Sequence, residues 1–258
     1  MNNQHQDYYT QNKDYADFLN NQDSAFFDKY IKALAGIPAG GKILDAGCGT
    51  GQVVARLDQM GFEAYGIEVS LPNVEMALKV SDRCSCYDGK RVPFDDETFD
   101  AVGSFNVLEH VDEPEAYIRE LVRVLRPGGR IVLSSPNFHR VIGFRDYHPH
   151  MRGLANKVKN ARTLAQKWGR IRNGNTALQF DRMDPIQREH GFNPDDDAII
   201  ATNGLEMAWQ LKCAGIRITN MHCTDRIVPP FIEFALNCSP LKYLMFNAFV
   251  TGTKEAAS

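Results

Sequence analysis

The chain lacks any long uninterrupted apolar run. Its most apolar stretch, residues 227–250, is broken by Pro229, Pro230, Glu233, Pro240 and Lys242, which makes it a poor membrane span. The opening residues, MNNQHQDYYTQNKDYADF, contain no apolar segment of the signal-peptide kind. Cysteine occurs at Cys48, Cys84, Cys86, Cys213, Cys223 and Cys238, never as a C-x-x-C pair, so the usual spacing of a zinc site is missing. Free thiols and a cytoplasmic location are the expectation. A large excess of one charge is missing too: 29 Lys and Arg stand against 32 Asp and Glu, a formal net charge of −3. With 43% apolar and 24% charged residues, the composition argues against disorder and against a nucleic-acid-coating protein. No internal repeat is visible, and 258 residues suffice for one large domain carrying an insertion.

What is present is an alternation of short apolar strands with amphipathic helices. After a polar leader with Tyr8, Tyr9, Tyr15 and Phe18, an apolar stripe through Phe26, Phe27, Tyr30, Ile31 and Leu34 predicts a helix. Strands are predicted at 43–45, 64–68, 83–87, 99–104 and 130–135. Helices are predicted after Gly51, after Ser70 and from Asp112 to Leu125. The segment 137–200 is too long for an ordinary connection and is expected to be a helical insertion. The rhythm then resumes with a helix at 204–214, a strand at 216–223, a short helix at 231–236 and a last strand at 243–251. This order predicts an α/β, Rossmann-like, doubly wound sheet of about seven strands, mostly parallel and with helices on both faces. The divisions are a leader and helix at 1–39 covering the site, a ligand-binding half at 40–136, the insertion at 137–200, and the remaining half of the same domain at 201–258.

The sharpest signal is Asp45-Ala46-Gly47-Cys48-Gly49-Thr50-Gly51, where a strand turns through glycines into a helix. Glycine lets the backbone approach a ligand closely, and open α/β sheets bind ligands at the carboxyl ends of their strands. Glu68 ends the next strand, where a carboxylate can accept from both hydroxyls of a ribose. The spacing is G-x-G-x-G rather than the dinucleotide G-x-G-x-x-G. Asp45 would also repel a diphosphate, whereas a carboxylate suits a cationic ligand. A nicotinamide dehydrogenase is therefore disfavoured.

Ile43 to Gly51 resembles the first motif of the class I S-adenosylmethionine-dependent methyltransferases, and three further stretches follow in order. Tyr65 to Ser70 resembles the second strand with its ribose-binding acid. Asp88 to Phe94 with Phe99 to Val102 resembles the adenine-side loop and fourth strand. Asn106 to Val111, through Leu125 to Gly129, resembles the fourth motif and its helix. The resemblance is close over residues 40–136 and loose over 200–253, and includes an antiparallel last strand. It implies that Asp45, Gly47, Cys48, Gly49 and Gly51 hold the methionyl end of the cofactor. Glu68 would hold the ribose, with Val69 against the adenine. Asp88 and Gly89 would meet the adenine amino group, and Asn106 would floor the methionyl pocket. The implied reaction is methyl transfer by in-line displacement to an oxygen, or a nitrogen, of a small-molecule, glycan or lipid-linked acceptor. A catalytically silent binding or regulatory subunit is the alternative.

Three histidines are candidates for a base or an acceptor contact: His110 in the Glu109-His110 pair, and His139 and His148 beyond the fifth strand. In the ubiquinone-biosynthesis and small-RNA methyltransferases an upstream Glu joins the E-H pair to bind a divalent metal. Here that position is Asn106, which argues against a metal, and none is expected. Residues 151–172 carry Arg152, Lys157, Lys159, Arg162, Lys167, Arg170 and Arg172 without a single acid, so the remainder of the chain carries −10. Met151, Leu154, Val158, Ala161, Leu164, Ala165, Trp168 and Ile171 recur at helical spacing. One basic helix, or two with a break, is predicted. It reads as a lid over the acceptor, as a peripheral membrane contact, or as a solvated surface helix. No nucleic-acid partner is expected.

Overall fold

Short apolar runs flanked by glycine turns fold as the strands of a parallel sheet because both of their faces are covered by helices. In the computed structural model, which describes residues 23–143, 146–174, 178–186 and 195–256, a 3-10 turn at Ser24–Phe27 leads into helix α1 (Asp28–Leu34). Then follow β1 (Lys42–Ala46), α2 (Gln52–Gln59), β2 (Glu63–Glu68), α3 (Leu71–Ala77), β3 (Cys84–Cys86) and β4 (Phe99–Phe105). A 3-10 turn at Leu108–His110 precedes α4 (Pro114–Val124) and β5 (Leu125–Pro136). The segment after β5 contains a 3-10 turn (Pro149–Met151), α5 (Gly153–Arg172), β6 (Asp181–Arg182) and β7 (Ile200–Ala201). The chain closes with α6 (Gly204–Cys213), β8 (Ile216–His222), α7 (Pro230–Asn237), α8 (Leu241–Leu244) and β9 (Asn247–Lys254).

Seven strands form one sheet in the order β3-β2-β1-β4-β5-β9-β8, while β6 and β7 pair separately. All contacts from β3 through β5 are parallel, and β9 runs antiparallel to both β5 and β8. Strand residues alternate between two apolar layers. Leu44, Val102, Ile131 and Leu133 pack with Leu121, Val122 and Leu211 of α4 and α6. Ile43, Ala101 and Val132 pack with Tyr30, Leu34, Val54 and Leu57 of α1 and α2. The predicted α/β architecture is the observed one.

Three local differences have physical causes. The fifth strand begins at Leu125 rather than Arg130, because Leu125 pairs with Phe99 and the register then jumps to Ala101 opposite Arg130. Residues 126–129 form the bulge between these pairings, with Gly128 at φ 76. The last strand begins at Asn247, four residues late, because Leu241–Leu244 closes a helical turn.

The third difference concerns the insertion. It holds one continuous helix, α5, but the predicted apolar stripe is not its buried face. Met151 and Leu164 are buried, whereas Leu154 is 81%, Val158 42% and Trp168 45% exposed. The buried side is made instead by Asn160, Leu164 and Lys167. Asn160 Nδ2 donates to Phe138 O and Arg140 O, both at 3.2 Å. Lys167 Nζ is paired with Glu206, and with Asp181 at 3.0 Å. Satisfied polar groups go inside, so the spacing of apolar residues does not by itself mark the buried face. The leader aromatics Tyr8, Tyr9, Tyr15 and Phe18 lie outside the described residues.

Candidate active site

Strands β1, β2 and β4 lie side by side, which brings their carboxyl ends, and the loops that follow them, to one edge of the sheet. At the end of β1 the chain turns through Gly47 (φ 78), Gly49 (φ 52) and Gly51 (φ 80) into α2. The N–H groups of Gly47 and Cys48 both donate to Ile67 O, at 2.8 and 3.0 Å, pinning the loop to β2. A Cβ on Gly47 would lie 2.3 Å from Val107 Cγ2, so the loop and the segment after β4 touch at a point where only glycine fits. Cys48 is buried against Gly66, whose own Cβ would meet its Sγ at 2.6 Å.

Glu68 is buried at the end of β2. Its Oε2 accepts from the Gly49 N–H at 2.9 Å, and its Oε1 from the N–H groups of Val69 (2.8 Å) and Ser70 (3.0 Å). Burial raises its pKa, and the three backbone donors oppose that rise. Asp45 is also buried, and Tyr30 Oη donates to its Oδ1 at 2.7 Å. Burial pushes Asp45 up to about 7; the Tyr30 bond lowers it and the charge of Glu68 adds to the rise. Tyr30 itself rests on Gly103, where a Cβ would lie 2.1 Å from its hydroxyl.

Asn106 follows β4 in a left-handed conformation (φ 54). Its N–H donates to Ser134 O at 2.9 Å, while its Oδ1 is buried with no hydrogen-bond partner among the described residues. Asp88 stands exposed beyond β3. Its Oδ1 accepts from the N–H groups of Lys90 and Arg91, which lower its pKa, and Gly89 beside it has φ 74. Asp45, the glycine loop, Glu68 and Asn106 therefore line adjacent strand ends, and Val69, Asp88 and Gly89 lie beyond β2 and β3 on the same edge.

The 3-10 turn after Asn106 carries Glu109 and His110. Glu109 is fully buried; Ser135 Oγ donates to its Oε2 at 2.9 Å, and its Oε1 has no hydrogen-bond partner among the described residues. The His110 ring lies between carboxylates: Nδ1 is 3.1 Å from Asp197 Oδ2, and Nε2 is 3.9 Å from both Glu109 Oε1 and Asp195 Oδ1. Glu109, His110 and Asp195 offer one ligand atom each within 4.8 Å of one another. Asp195 is held at φ 64, with Tyr147 Oη donating to its Oδ2 at 2.5 Å. Burial, then the charge of Asp195, drives Glu109 well above the ordinary range, and burial lifts Asp195 to about 6 and Asp197 to about 7.

The other two histidines are buried within the insertion. His139 is buried; its Nδ1 faces Asn203 Nδ2 at 3.1 Å, and its Nε2 lies 3.2 Å from Asp181 Oδ2. His139 and Lys167 together hold Asp181 down at about 2. His148 is buried edge-on to Phe138 and stacked with His150. Sequence reasoning did not single out Tyr30, Ser135, Asp195 or Asp197. The run Asp195-Asp196-Asp197 was the one available signal for the last two, and nothing local said where it would land.

A family described as a methyltransferase domain matches residues 44–133. An uncharacterized methyltransferase of Mycobacterium sp. (strain KMS) is 30% identical over 189 residues, covering 70% of this chain and 66% of that protein, so the chain matches about two thirds of that relative's length. A ubiquinone biosynthesis O-methyltransferase of Alkalilimnicola ehrlichii is 31% identical over 116 residues, 42% of this chain and 47% of its own. A SAM-dependent methyltransferase from Aquifex aeolicus has a similar fold, with a TM-score of 0.54 at 16% identity over 93% of this chain and 97% of its own.

Proposed function

Since the chain belongs to the class I S-adenosylmethionine-dependent methyltransferases, we propose that it moves a methyl group from that cofactor to an oxygen, with nitrogen second, of a small-molecule, glycan or lipid-linked acceptor. The observation that carries the reading is the buried Asn106 Oδ1, partnerless among the described residues, beside the glycine loop that Val107 touches. It leaves a hydrogen-bond acceptor for a ligand donor at the strand edge where Asp45 places a carboxylate. The residues present fit the cofactor: carboxylates at Asp45 and Glu68 suit a ligand with an ammonium, a sulfonium and a ribose, and the glycine loop leaves room for its backbone approach.

When bound, S-adenosylmethionine supplies a methyl group already activated by its sulfonium. The chain's own tasks are alignment, exclusion of water and removal of the acceptor's proton. Asp45 neutralises the ligand's ammonium, and Glu68 accepts from the ribose hydroxyls while tying down Gly49. A hydroxyl acceptor gives its proton to His110 Nε2. Asp197 holds the Nδ1–H and so fixes the tautomer that leaves Nε2 basic. Calorimetry with S-adenosylhomocysteine tests the placement. Glu68→Ala is expected to lose about 100-fold or more in affinity, by removal of charge-assisted bonds worth about 1.5–3 kcal/mol each, with circular dichroism unchanged. Near-native affinity would overturn it.

A second reading rests on Glu109 Oε1. This buried carboxylate oxygen has no hydrogen-bond partner among the described residues and converges with His110 Nε2 and Asp195 Oδ1. Asn106 withholds the carboxylate that metal-binding relatives place there, but Asp195 returns one from another segment, and the donor set fits a hard divalent cation. In this reading His110 is a ligand rather than a base. Manganese titration followed by electron paramagnetic resonance separates the two. One tight site that Asp195→Asn weakens about tenfold or more selects the metal, and no saturable site selects the base.

A further inference from the structure

The outer face of α5 is exposed on both counts that usually keep a helix face hidden or paired. Leu154, Val158, Ala161 and Ala165 follow one another at intervals of four, three and four residues, so they form a single apolar strip, and all four are exposed. Lys159, Arg162, Gln166 and Arg170 follow at intervals of three, four and four residues on the strip alongside, also exposed. The two strips border a shallow open groove running past Leu154, Val158, Lys159 and Arg162. Trp168, half exposed near the end of the helix, meets Tyr243 of α8 edge-on at 5.5 Å.

The cations on the inner side are engaged: Lys157 with Asp146 at 2.8 Å, and Lys167 with Glu206 and Asp181. Lys159, Arg162 and Arg170 have no ion pair among the described residues, and the twenty-residue helix contains no acid. A helix adapted only to water commonly pairs its cations with acids one turn away. This one places unpaired cations against exposed leucine and valine. That pairing of chemistries matches an interface with anionic headgroups above and acyl chains below. The long stems of Lys159 and Arg162 let their charges stay among the headgroups while the apolar strip goes deeper.

The rest of the molecule carries −10, so an anionic surface attracts α5 and repels the body, which selects one orientation. Among the described residues no helix is long and apolar enough to cross a membrane, so the contact lies in the plane of the surface. Asn160 anchors α5 to residues 138 and 140, just beyond β5.

We propose that the outer face of α5 docks the protein on an anionic phospholipid surface. The assignment stands on the helix and not on methyl transfer. Co-sedimentation of the full chain with sucrose-loaded vesicles tests it, comparing pure phosphatidylcholine with a mixture holding about 30% phosphatidylglycerol. Wild-type protein is expected in the pellet with the anionic vesicles, to be released by high salt, and to stay in solution with the neutral ones. Lys159→Glu with Arg162→Glu, and separately Leu154→Asp with Val158→Asp, should each lower vesicle affinity about tenfold or more, with circular dichroism and S-adenosylhomocysteine affinity unchanged. Three outcomes overturn the proposal. One is wild-type protein that ignores anionic vesicles. Another is binding that survives both double variants but is lost in Phe231→Ser with Phe234→Ser, which moves the contact to the exposed rings of α7. The third is a dimer, detected by light scattering, that Leu154→Asp with Val158→Asp dissolves, which makes a second copy the occupant.

Discussion

Gly47 and Gly40 share nearly the same backbone, φ 78 and 77, but not the same surroundings. At Gly40 an added Cβ meets nothing within 4 Å; at Gly47 it meets Val107 Cγ2 at 2.3 Å. Gly40→Ala should therefore cost only the left-handed strain, about 1–2 kcal/mol, and leave S-adenosylhomocysteine affinity intact. Gly47→Ala carries that strain plus a clash inside the proposed cofactor cradle. Thermal melts should show a larger loss for it, and calorimetry a fall in affinity of about tenfold or more. Equal behaviour of the two variants would deny Gly47 any role beyond its turn. The same contrast explains what was readable at this scale. Asp45, the glycines and Glu68 belong to one strand-turn-helix-strand unit, whose parallel pairing of β1 with β2 sets their strand ends side by side. Tyr30 reads from sequence as one more apolar residue of α1, and its hydroxyl acquires a purpose only when α1 packs under Asp45.

Helix α5 shows how an element's extent can be legible in sequence while its orientation is not. Its extent and charge followed from periodicity and composition, but its orientation is decided by Asn160 and Lys167, which find partners inside. Lys167 lies between buried Glu206 and half-exposed Asp181, and His139 Nε2 meets the same Asp181 oxygen. Lys167→Met would strand the Glu206 carboxylate and should cost about 3–5 kcal/mol in urea unfolding; adding Glu206→Gln should recover part of that loss. A cost under about 1 kcal/mol would mean that water replaces the pair. The pH signature follows from Asp181, held at about 2. A depressed carboxylate contributes stability that is present above its unfolded pKa, near 4, and lost as pH falls toward 2. Lys167→Met should flatten that acid limb of the stability curve.

Taken whole, the molecule collects its raised carboxyls at one edge of the sheet: Asp45 and Asp197 at about 7 and Asp195 at about 6. Raised folded pKa values contribute stability that is complete below the unfolded pKa, near 4, and lost as pH rises through 6 to 7. The ligand-free protein should therefore melt at a lower temperature at pH 8 than at pH 5. Because Asp45 must be ionised to attract an ammonium, S-adenosylhomocysteine should bind up to about tenfold tighter at pH 8 than at pH 6. It should also raise the melting temperature more at the higher pH. An affinity independent of pH across that window would separate Asp45 from the ligand's ammonium.

By itself the sequence determined the α/β architecture, the mostly parallel sheet, the family, and the loop at the end of β1 with its acid at the end of β2. Each of these is written in local periodicity and short-range spacing, which folding preserves. Only the tertiary structure decided the rest. It brought Asp195 and Asp197 from the far end of the insertion onto His110, and it drew His139 and His148 into packing. It also turned the leucine and valine strip of α5 outward with its unpaired cations. For Asp197, His139 and Asn160 the reason is common: a buried charge or amide goes where its partners are, and those partners lie up to 87 residues away along the chain.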